Sequence, residues 1–315
     1  MFAVITINYN LHNHTIDCVN SILRSDYNEL KIFLVDNGSK QEDYNALQQA
    51  FIDNPKVNIL RIETNTGYVG GVNFGLEKAS RENPDYFLVM NNDTIIDEFA
   101  ISALVSTAER HNDNAIISGK VCYFDQPDVI QHTGVIFTDK RYLTTYYPGR
   151  NEKDTGQCDT EEERDSLDDV FWLIPRKVFF ETGYYCNYFY LYAEQGDYAW
   201  RARQKGFKLI YTPKAKLWHK ESMTAGKGNP KSLAICYWRG QGIFISQYLH
   251  LRKKYFMLLV IRNMAKLAAK SVVTHRETRR CSFALLRGYL YGFRWMFNKR
   301  PNRGLNPYIK DRGKS

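Results

Sequence analysis

Short apolar runs that end in polar turns organise the first third of the chain. Residues 2–7 (Phe-Ala-Val-Ile-Thr-Ile) run into Asn8-Tyr9-Asn10, and residues 31–35 run into Asp36-Asn37-Gly38-Ser39. Residues 57–62 lead to a glycine-rich stretch holding Asn65, Gly67, Tyr68, Gly70, Gly71, Asn73 and Gly75. Residues 86–90 (Tyr-Phe-Leu-Val-Met) run straight into Asn91-Asn92-Asp93. Continuous apolar runs bounded by turn residues predict strands buried on both faces. Between them the spacing turns helical: Ile16, Val19, Ile22 and Leu23 share one face over 15–24, a polar helix covers 42–52, and another covers 97–110. Such alternation predicts parallel βαβ units with right-handed crossovers. The polar strand ends and the glycine-rich turn then fall on one edge of one sheet. Ligands of open α/β sheets bind outside the carboxyl ends of the strands, so this is the expected nucleotide side.

The glycine-rich turn lets backbone approach a ligand and aims helix N–H groups at an anion. It is neither a G-x-G-x-x-G fingerprint nor a Walker loop. His12 and His14 read as solvated residues of the turn before the first helix. Further strands are expected over 115–123 and 129–137. The acidic, irregular stretch 146–169, with Glu161-Glu162-Glu163, reads as a mobile loop that could order over a substrate. A buried strand at 170–175 contains Trp172, and a short helix at 176–182 stops at Gly183. The aromatic stretch 184–192 ends in Ala193-Glu194-Gln195-Gly196-Asp197, where a helix begins. Glu194 and Asp197, three apart at a helix start, share one face and suit the helix dipole. An edge strand is expected over 207–211, ahead of Pro213, and Lys216-Leu217-Trp218 leads to His219.

Charge divides the chain. Residues 230–315 hold 19 Lys+Arg against Glu277 and Asp311, a balance of +17; the remaining 24 Lys+Arg and 32 Asp+Glu give −8. The expected organisation is an α/β domain over 1–229, its halves meeting near residue 125, and a basic helical region over 230–315. In that region Arg262, Lys266 and Lys270 recur every four residues, and Arg280, Arg287 and Arg294 every seven. Apolar residues lie between them, as in basic helices that lie in a membrane interface. No uncharged run reaches the ~20 residues needed to span a bilayer. An anionic membrane surface is the expected partner; no nucleic-acid module is recognisable. The six cysteines form no C-x-x-C pair and read as reduced thiols, and no secretory signal is visible. A cytoplasmic protein, peripheral on the cytosolic face of the inner membrane, is the resulting expectation. Oligomeric state is not legible.

Six motifs in this order resemble those of family 2 glycosyltransferases, in particular the rhamnosyltransferase-like branch. They are Asn8-Tyr9-Asn10, Val35-Asp36-Asn37-Gly38-Ser39, the glycine-rich stretch, Met90-Asn91-Asn92-Asp93-Thr94, Tyr192-x-Glu194-x-x-Asp197-x-x-x-Arg201, and Trp218-His219-Lys220. The likeness covers about residues 1–222. It implies an α/β GT-A fold, with a Rossmann-like, mostly parallel sheet flanked by helices. It also implies an NDP-sugar donor, dTDP- or UDP-linked, with Mg²⁺ or Mn²⁺ and inversion at the anomeric carbon. By this likeness Asp36 contacts the nucleotide base. Asn8, Tyr9, Asn10, Asn65, Gly67, Tyr68, Gly70, Gly71 and Asn73 line the donor pocket. Asn91-Asn92-Asp93 stands where the family carries its D-x-D motif, with Asp93 on the metal and His219 as a further metal or diphosphate contact. Trp172 and Arg201 complete the implied substrate contacts. The chain departs from the pattern twice. Asn91 replaces the first Asp of D-x-D. Neutral Gln195 replaces a residue that often serves as base, which leaves Glu194 or Asp197 for that role. The implied reaction adds one sugar to a lipid-linked or oligosaccharide acceptor of a surface glycan, such as O-antigen lipopolysaccharide or capsule. A catalytically silent sugar-nucleotide or glycan-binding protein is the alternative.

Overall fold

The computed structural model describes residues 1–220, 230–273 and 276–309. Strands β1 (Phe2–Asn8), β2 (Leu30–Asn37), β3 (Val57–Ile62) and β4 (Tyr86–Met90) alternate with helices α1 (His12–Leu23), α2 (Gln41–Phe51) and α3 (Gly67–Ser80). There follow β5 (Thr94–Ile96), α4 (Ala100–Arg110), β6 (Ala115–Tyr123) and four short strands, β7 (Ile130–His132), β8 (Ile136–Asp139), β9 (Thr144–Tyr146) and β10 (Glu162–Glu163). Next come β11 (Phe171–Pro175), α5 (Arg176–Thr182), α6 (Glu194–Gln204) and β12 (Lys208–His219). Helices α7 (Pro230–His250), α8 (Lys253–Val273) and α9 (Arg276–Asn298) complete the chain.

The main sheet runs β10-β12-β6-β11-β4-β1-β2-β3, with β5 on β12 and β7 on β6. β1, β2, β3 and β4 are parallel, as the alternation predicts. Register sets Asn8 opposite Asp36, so both close their strands at one edge. β11 runs antiparallel to β4, with Phe171 opposite Met90. The start of β11 therefore lies at the edge where β4 ends. β12 is parallel to β6 and sets His219 opposite Tyr123 and, on β5, Thr94. Every residue of β4 and β11 is buried, as expected for strands covered on both faces. One core joins Val4, Leu34, Leu88 and Leu173 of the sheet to Val19 and Ile22 of α1 and Leu104 of α4.

Several expectations change. The expected edge strand at 207–211 is the start of the long β12, paired on both sides; Pro213 falls in the irregularity between Thr212 and Lys216, where a missing N–H is tolerated. The expected strand 129–137 breaks into β7 and the start of β8. The stretch 146–169 is irregular but pinned. Lys120 on β6 is buried and needs opposite charge; Asp154 and Asp159 supply it at 2.9 and 2.5 Å. Ser166 bonds to Val135, and Arg164, Leu167 and Asp169 are buried. Much of the glycine-rich stretch is the first turns of α3 rather than a turn before it. A Cβ on Gly75 would stand 2.6 Å from Ile5 Cγ2, so α3 needs glycine there to lie on β1.

By contacts the chain divides into two compact units. The first takes residues 1–138, 145–185 and 198–220; the second takes 139–144, 186–197 and the described residues from 230 onward. Within the second, α7 packs on α9, and Phe244, Phe256, Val260 and Tyr289 form one of its cores. Cys236 and Cys281 form a disulfide between α7 and α9, where reduced thiols were expected. The reason is close helix approach: their Cα atoms stand 5.7 Å apart, inside the range a disulfide spans. A pairing 45 residues apart in sequence leaves no local signal. Cys18, Cys122 and Cys158 are buried thiols. No helix among the described residues is long and apolar enough to cross a membrane.

The α7–α9 approach depends on Gly288, where an added Cβ would stand 2.2 Å from the Tyr237 carbonyl oxygen and 2.9 Å from Gln241 N. Gly288→Ala is expected to cost about 1–3 kcal/mol, the usual range for overpacking. Gly196→Ala, in open space on α6, should be neutral or gain roughly 0.5–1 kcal/mol. Urea unfolding of the two variants checks the contrast; equal midpoints would refute it.

Candidate active site

The polar edge at the ends of β1 and β2 is built around Asn8. Its buried side-chain N–H groups reach Asp36 Oδ1 at 2.9 Å, Ser39 Oγ at 3.0 Å and Asp43 Oδ2 at 2.7 Å. Its Oδ1 accepts from Thr15 Oγ1 and from the Leu11 amide, tying the end of β1 to the start of α1. Asp43 also accepts from the His12 amide, and its Oδ1 lies 2.7 Å from His12 Nδ1. Burial alone would raise the Asp43 carboxyl, but the bonds from Asn8 and His12 outweigh it and hold the group below the usual range. His12 thus lies in α1 and is paired with Asp43 of α2, not solvated in a preceding turn, and His14, also in α1, lies 3.3 Å from Lys220 Nζ.

Asp36 is fully buried, and its Oδ2 has no hydrogen-bond partner. A buried carboxylate oxygen left unsatisfied is costly unless a ligand donor meets it. Asn37, which the motif reading did not place in the site, fixes the neighbouring turn. Its Nδ2 donates to the Gly67 carbonyl at 2.9 Å, and its Oδ1 accepts from Thr66 N and Oγ1. Asn65 Oδ1 accepts from Gly67 N. Tyr9 and Asn10 are exposed beyond β1, with Asn10 Oδ1 accepting from Lys40 N.

Beyond β4, Asn91 N donates to the Val170 carbonyl, and Asn92 Nδ2 donates to Thr15 Oγ1. Asp93 Oδ1 lies 3.2 Å from His219 Nε2, and His219 Nδ1 lies 2.8 Å from Gln131 Oε1. Burial would raise the Asp93 carboxyl; the bond and charge of His219 reverse this and hold it low. With Nδ1–H given to Gln131, His219 Nε2 and Asp93 Oδ1 are both acceptors, so the pair is built to hold a proton or a cation between them. No group of three or more His, Cys, Asp or Glu arranged for a metal occurs among the described residues. A divalent ion on Asp93 and His219 would therefore complete its shell with diphosphate oxygens and water, as Mg²⁺ commonly does.

Several motif residues serve the scaffold instead. Trp172 is fully buried and donates from Nε1 to Tyr185 Oη at 3.0 Å, so it offers no face to a substrate. Asn73 exchanges both hydrogen bonds with the backbone of Tyr185. Arg201 donates to the carbonyls of Thr182 and Tyr184 at the end of α5. Gly71 faces Ile7 and Asn37, and Gly70 faces Thr66.

Asp168 and Asp169, just before β11, were not singled out from sequence. Tyr185 Oη donates to Asp169 Oδ2 at 3.1 Å, and Tyr68 Oη to the Asp169 carbonyl at 3.5 Å. Burial first, and the Asp168 charge second, push the Asp169 carboxyl up to about 7. Burial likewise lowers His132, whose Nε2 lies 3.7 Å from Asp168 Oδ2. The missed signal is direction: on an antiparallel strand the residues before it, not after it, face the ligand edge.

Glu194 and Asp197 lie in the first turn of α6, which groups with the second unit. Both are almost wholly buried, and Asp197 Oδ1 lies 3.1 Å from Nε2 of His250, the last residue of α7. His250, like Asn37, Asp168 and Asp169, is a residue that motif reading missed. Tyr192 and Ala193, just ahead, both have positive φ (73° and 71°), a conformation costly for non-glycine residues and concentrated at functional sites.

A Rossmann-like sheet with polar groups gathered at the carboxyl ends of β1, β2 and β4 defines an enzyme of the GT-A glycosyltransferase fold. The sequence model of Glycosyl transferase family 2 matches residues 3–179, more than half the chain, and the protein belongs to that family. It is 25% identical over 128 residues to "Glycosyltransferase GlyG" of Streptococcus pneumoniae serotype 4 (strain ATCC BAA-334 / TIGR4), covering 41% of each chain. It is 21% identical over 216 residues to "Poly-beta-1,6-N-acetyl-D-glucosamine synthase" of Staphylococcus epidermidis, covering 67% of this chain and 47% of that one. The chain thus spans less than half the length of these relatives. Among solved structures, GalNAc-T7 with UDP, GalNAc and Mn²⁺ superposes with a TM-score of 0.60 at 13% identity, over 95% of this chain and 57% of that one. The mannosyltransferase PcManGT from Pyrobaculum calidifontis, in complex with GDP-Man and Mn²⁺, gives 0.58 at 12%, over 95% and 88%.

Asp169 sets a pH prediction. Between about 3.9, the unfolded carboxyl value, and about 7, the folded chain keeps a proton that the unfolded chain releases. Its contribution to stability therefore falls as pH rises through that window. Asp169→Asn keeps an acceptor for Tyr185 and removes the charge. It should raise Tm by a few degrees near pH 8 and much less near pH 4. Thermal melts at both values check this; an equal shift at both pH values would refute it.

Proposed function

We propose that this glycosyltransferase inverts configuration, moving one sugar from a dTDP- or UDP-linked donor to a hydroxyl of a lipid-linked or surface-glycan acceptor. The observation that carries the donor assignment is the unsatisfied Oδ2 of buried Asp36. A pyrimidine with an N3–H, uracil or thymine, presents the donor that this oxygen lacks. Tyr9, exposed beside it, offers a ring for the base or ribose. Dependence on dTDP-rhamnose is the expectation of the branch resemblance, and a UDP-hexose satisfies the same contact.

The acceptor hydroxyl attacks the anomeric carbon as the bond to the diphosphate oxygen breaks. The hydroxyl proton passes to a carboxylate, and the NDP leaves with the bonding electrons. We assign the base to Glu194, with Asp197 as the other carboxylate of the same helical turn; Asp197 Oδ1 lies 3.1 Å from His250 Nε2, and that contact holds the first turn of α6. Asp93 and His219 would hold a Mg²⁺ or Mn²⁺ ion, which neutralises charge developing on the leaving diphosphate when bound. A growing polysaccharide chain is the acceptor setting suggested by the relative named for poly-N-acetylglucosamine synthesis.

A donor panel spanning dTDP-rhamnose, UDP-glucose, UDP-galactose, UDP-GlcNAc and GDP-mannose tests the reading by thermal shift and slow NDP release, with Mg²⁺ or Mn²⁺. Stabilisation is expected from a uracil or thymine nucleotide and should be lost in Asp36→Asn; no response to either nucleotide would overturn the base contact. Asp93→Ala should abolish metal-stimulated release, and EDTA should do the same to the unmodified enzyme. Glu194→Gln should lower transfer at least ~100-fold, the low end for loss of a general base, with donor binding retained. Near-full activity would move the base to Asp197, where Asp197→Asn would carry the loss.

A further inference from the structure

The second unit leaves two apolar stripes exposed, and each is bordered by cations. On α8, Phe256, Leu259 and Val260 are buried. The opposite face presents Met257 and Leu258, the latter 57% exposed, then Ile261 (62%) and Val272 (74%). At 100° per residue, positions 258, 261, 265 and 272 lie within one narrow arc. Arg262 and Lys266, both exposed, continue as an i, i+4 row along its flank. On α9 the buried residues are Ser282, Ala284, Gly288, Tyr289, Gly292 and Trp295. The exposed face alternates Phe283 (51%), Leu290 (48%) and Phe297 (84%) with the exposed Arg280, Arg287 and Arg294. Glu277 is the one carboxylate on either helix.

Exposed aliphatic and aromatic side chains of this number mark a surface that another phase or molecule covers. The flanking charge selects which. A second copy docking through the same stripes would set arginine row against arginine row, with only Glu277 in each to offset it. A polyphosphate chain would satisfy the cations but gains nothing from Leu258, Ile261 and Val272. An anionic bilayer satisfies both: its headgroups meet the cations, and its acyl boundary meets the stripe. Neither helix is apolar enough to cross, so the helices lie in the surface rather than through it.

We propose that the exposed faces of α8 and α9 dock in the interface of an anionic phospholipid bilayer, with Leu258, Ile261, Phe283, Leu290 and Phe297 inserted at the acyl boundary. The test is cosedimentation of the full-length chain with vesicles of phosphatidylcholine alone and of phosphatidylcholine mixed with phosphatidylglycerol, at low and high salt. Binding is expected to the mixed vesicles, weaker at high salt and near background on phosphatidylcholine alone. Combined Lys266→Gln, Arg280→Gln and Arg294→Gln should weaken binding roughly a hundredfold, from the usual contribution of cations near an anionic surface. The exposed pair Leu258→Gln and Ile261→Gln, and separately Phe297→Gln, should each weaken it about tenfold or more without lowering Tm. No binding to mixed vesicles would overturn the proposal. So would binding that ignores the apolar variants, which would mean charge attraction without insertion. A dimer broken by Ile261→Gln, with no vesicle binding, would overturn it in favour of a second copy. None of these readouts uses sugar transfer, so the result stands apart from the donor and base assignments.

Discussion

The amide of Asn8 is the constraint on which the donor edge depends. One neutral NH₂ group faces two carboxylates and a hydroxyl at 2.7–3.0 Å. With two hydrogens for three acceptors, at least one of them is shared. An aspartate at this position would set three carboxylates together in a buried site; an apolar residue would leave Asp36 and Asp43 facing each other undonated. His12 relieves part of the load from the far side of Asp43. Because Asn8 holds only Oδ1 of Asp36, it fixes the carboxylate and leaves Oδ2 aimed elsewhere. The edge is therefore organised before any ligand arrives, which is what lowers the cost of binding one.

A second chain of contacts supports the same edge from β11. Trp172 donates to Tyr185, Tyr185 donates to Asp169, and Asn73 clamps the Tyr185 backbone from α3. The glycine-rich helix and the antiparallel strand are thus tied through one tyrosine. This gives Asn73 and Trp172 a supporting role beneath the edge. A pattern in sequence does not separate support from contact.

That distinction explains what could be read from sequence. The first four strands follow from apolar runs and turn residues, since a buried parallel strand has no other use for such a run. Asp36 and Asp93 stand out by their places at strand ends, and His219 only through the family resemblance. Strand direction is not written in such a pattern: β11 reads as another buried strand, and its reversal moves Asp168 and Asp169 to the ligand edge unannounced. Pro213 misled for a similar reason, because a bulge lets proline sit in a strand paired on both sides. The acidic stretch 146–169 looked free because its partner, Lys120, lies on a distant strand and is itself buried. The Cys236–Cys281 pair and the Asp197–His250 contact join residues 45 and 53 apart, separations at which local pattern carries no information.

The last of these contacts changes what the C-terminal helices are for. The match to the family ends at residue 179, before Glu194 and Asp197. Residues 186–197 group with the helical unit, and the contacts say why. Two consecutive left-handed residues, Tyr192 and Ala193, are unfavourable without support. Gly242 of α7 supplies it by close approach: a Cβ there would stand 2.2 Å from the Tyr192 carbonyl oxygen. Arg239 lies over the Tyr192 ring, Tyr190 packs on Trp238, and His250 meets Asp197. One helix thus holds the strained segment at several points along its length. The carboxylates assigned to proton transfer therefore take their positions from a part of the chain that the family match does not reach. Cutting the chain after the sheet would remove the braces of those carboxylates along with the basic surface.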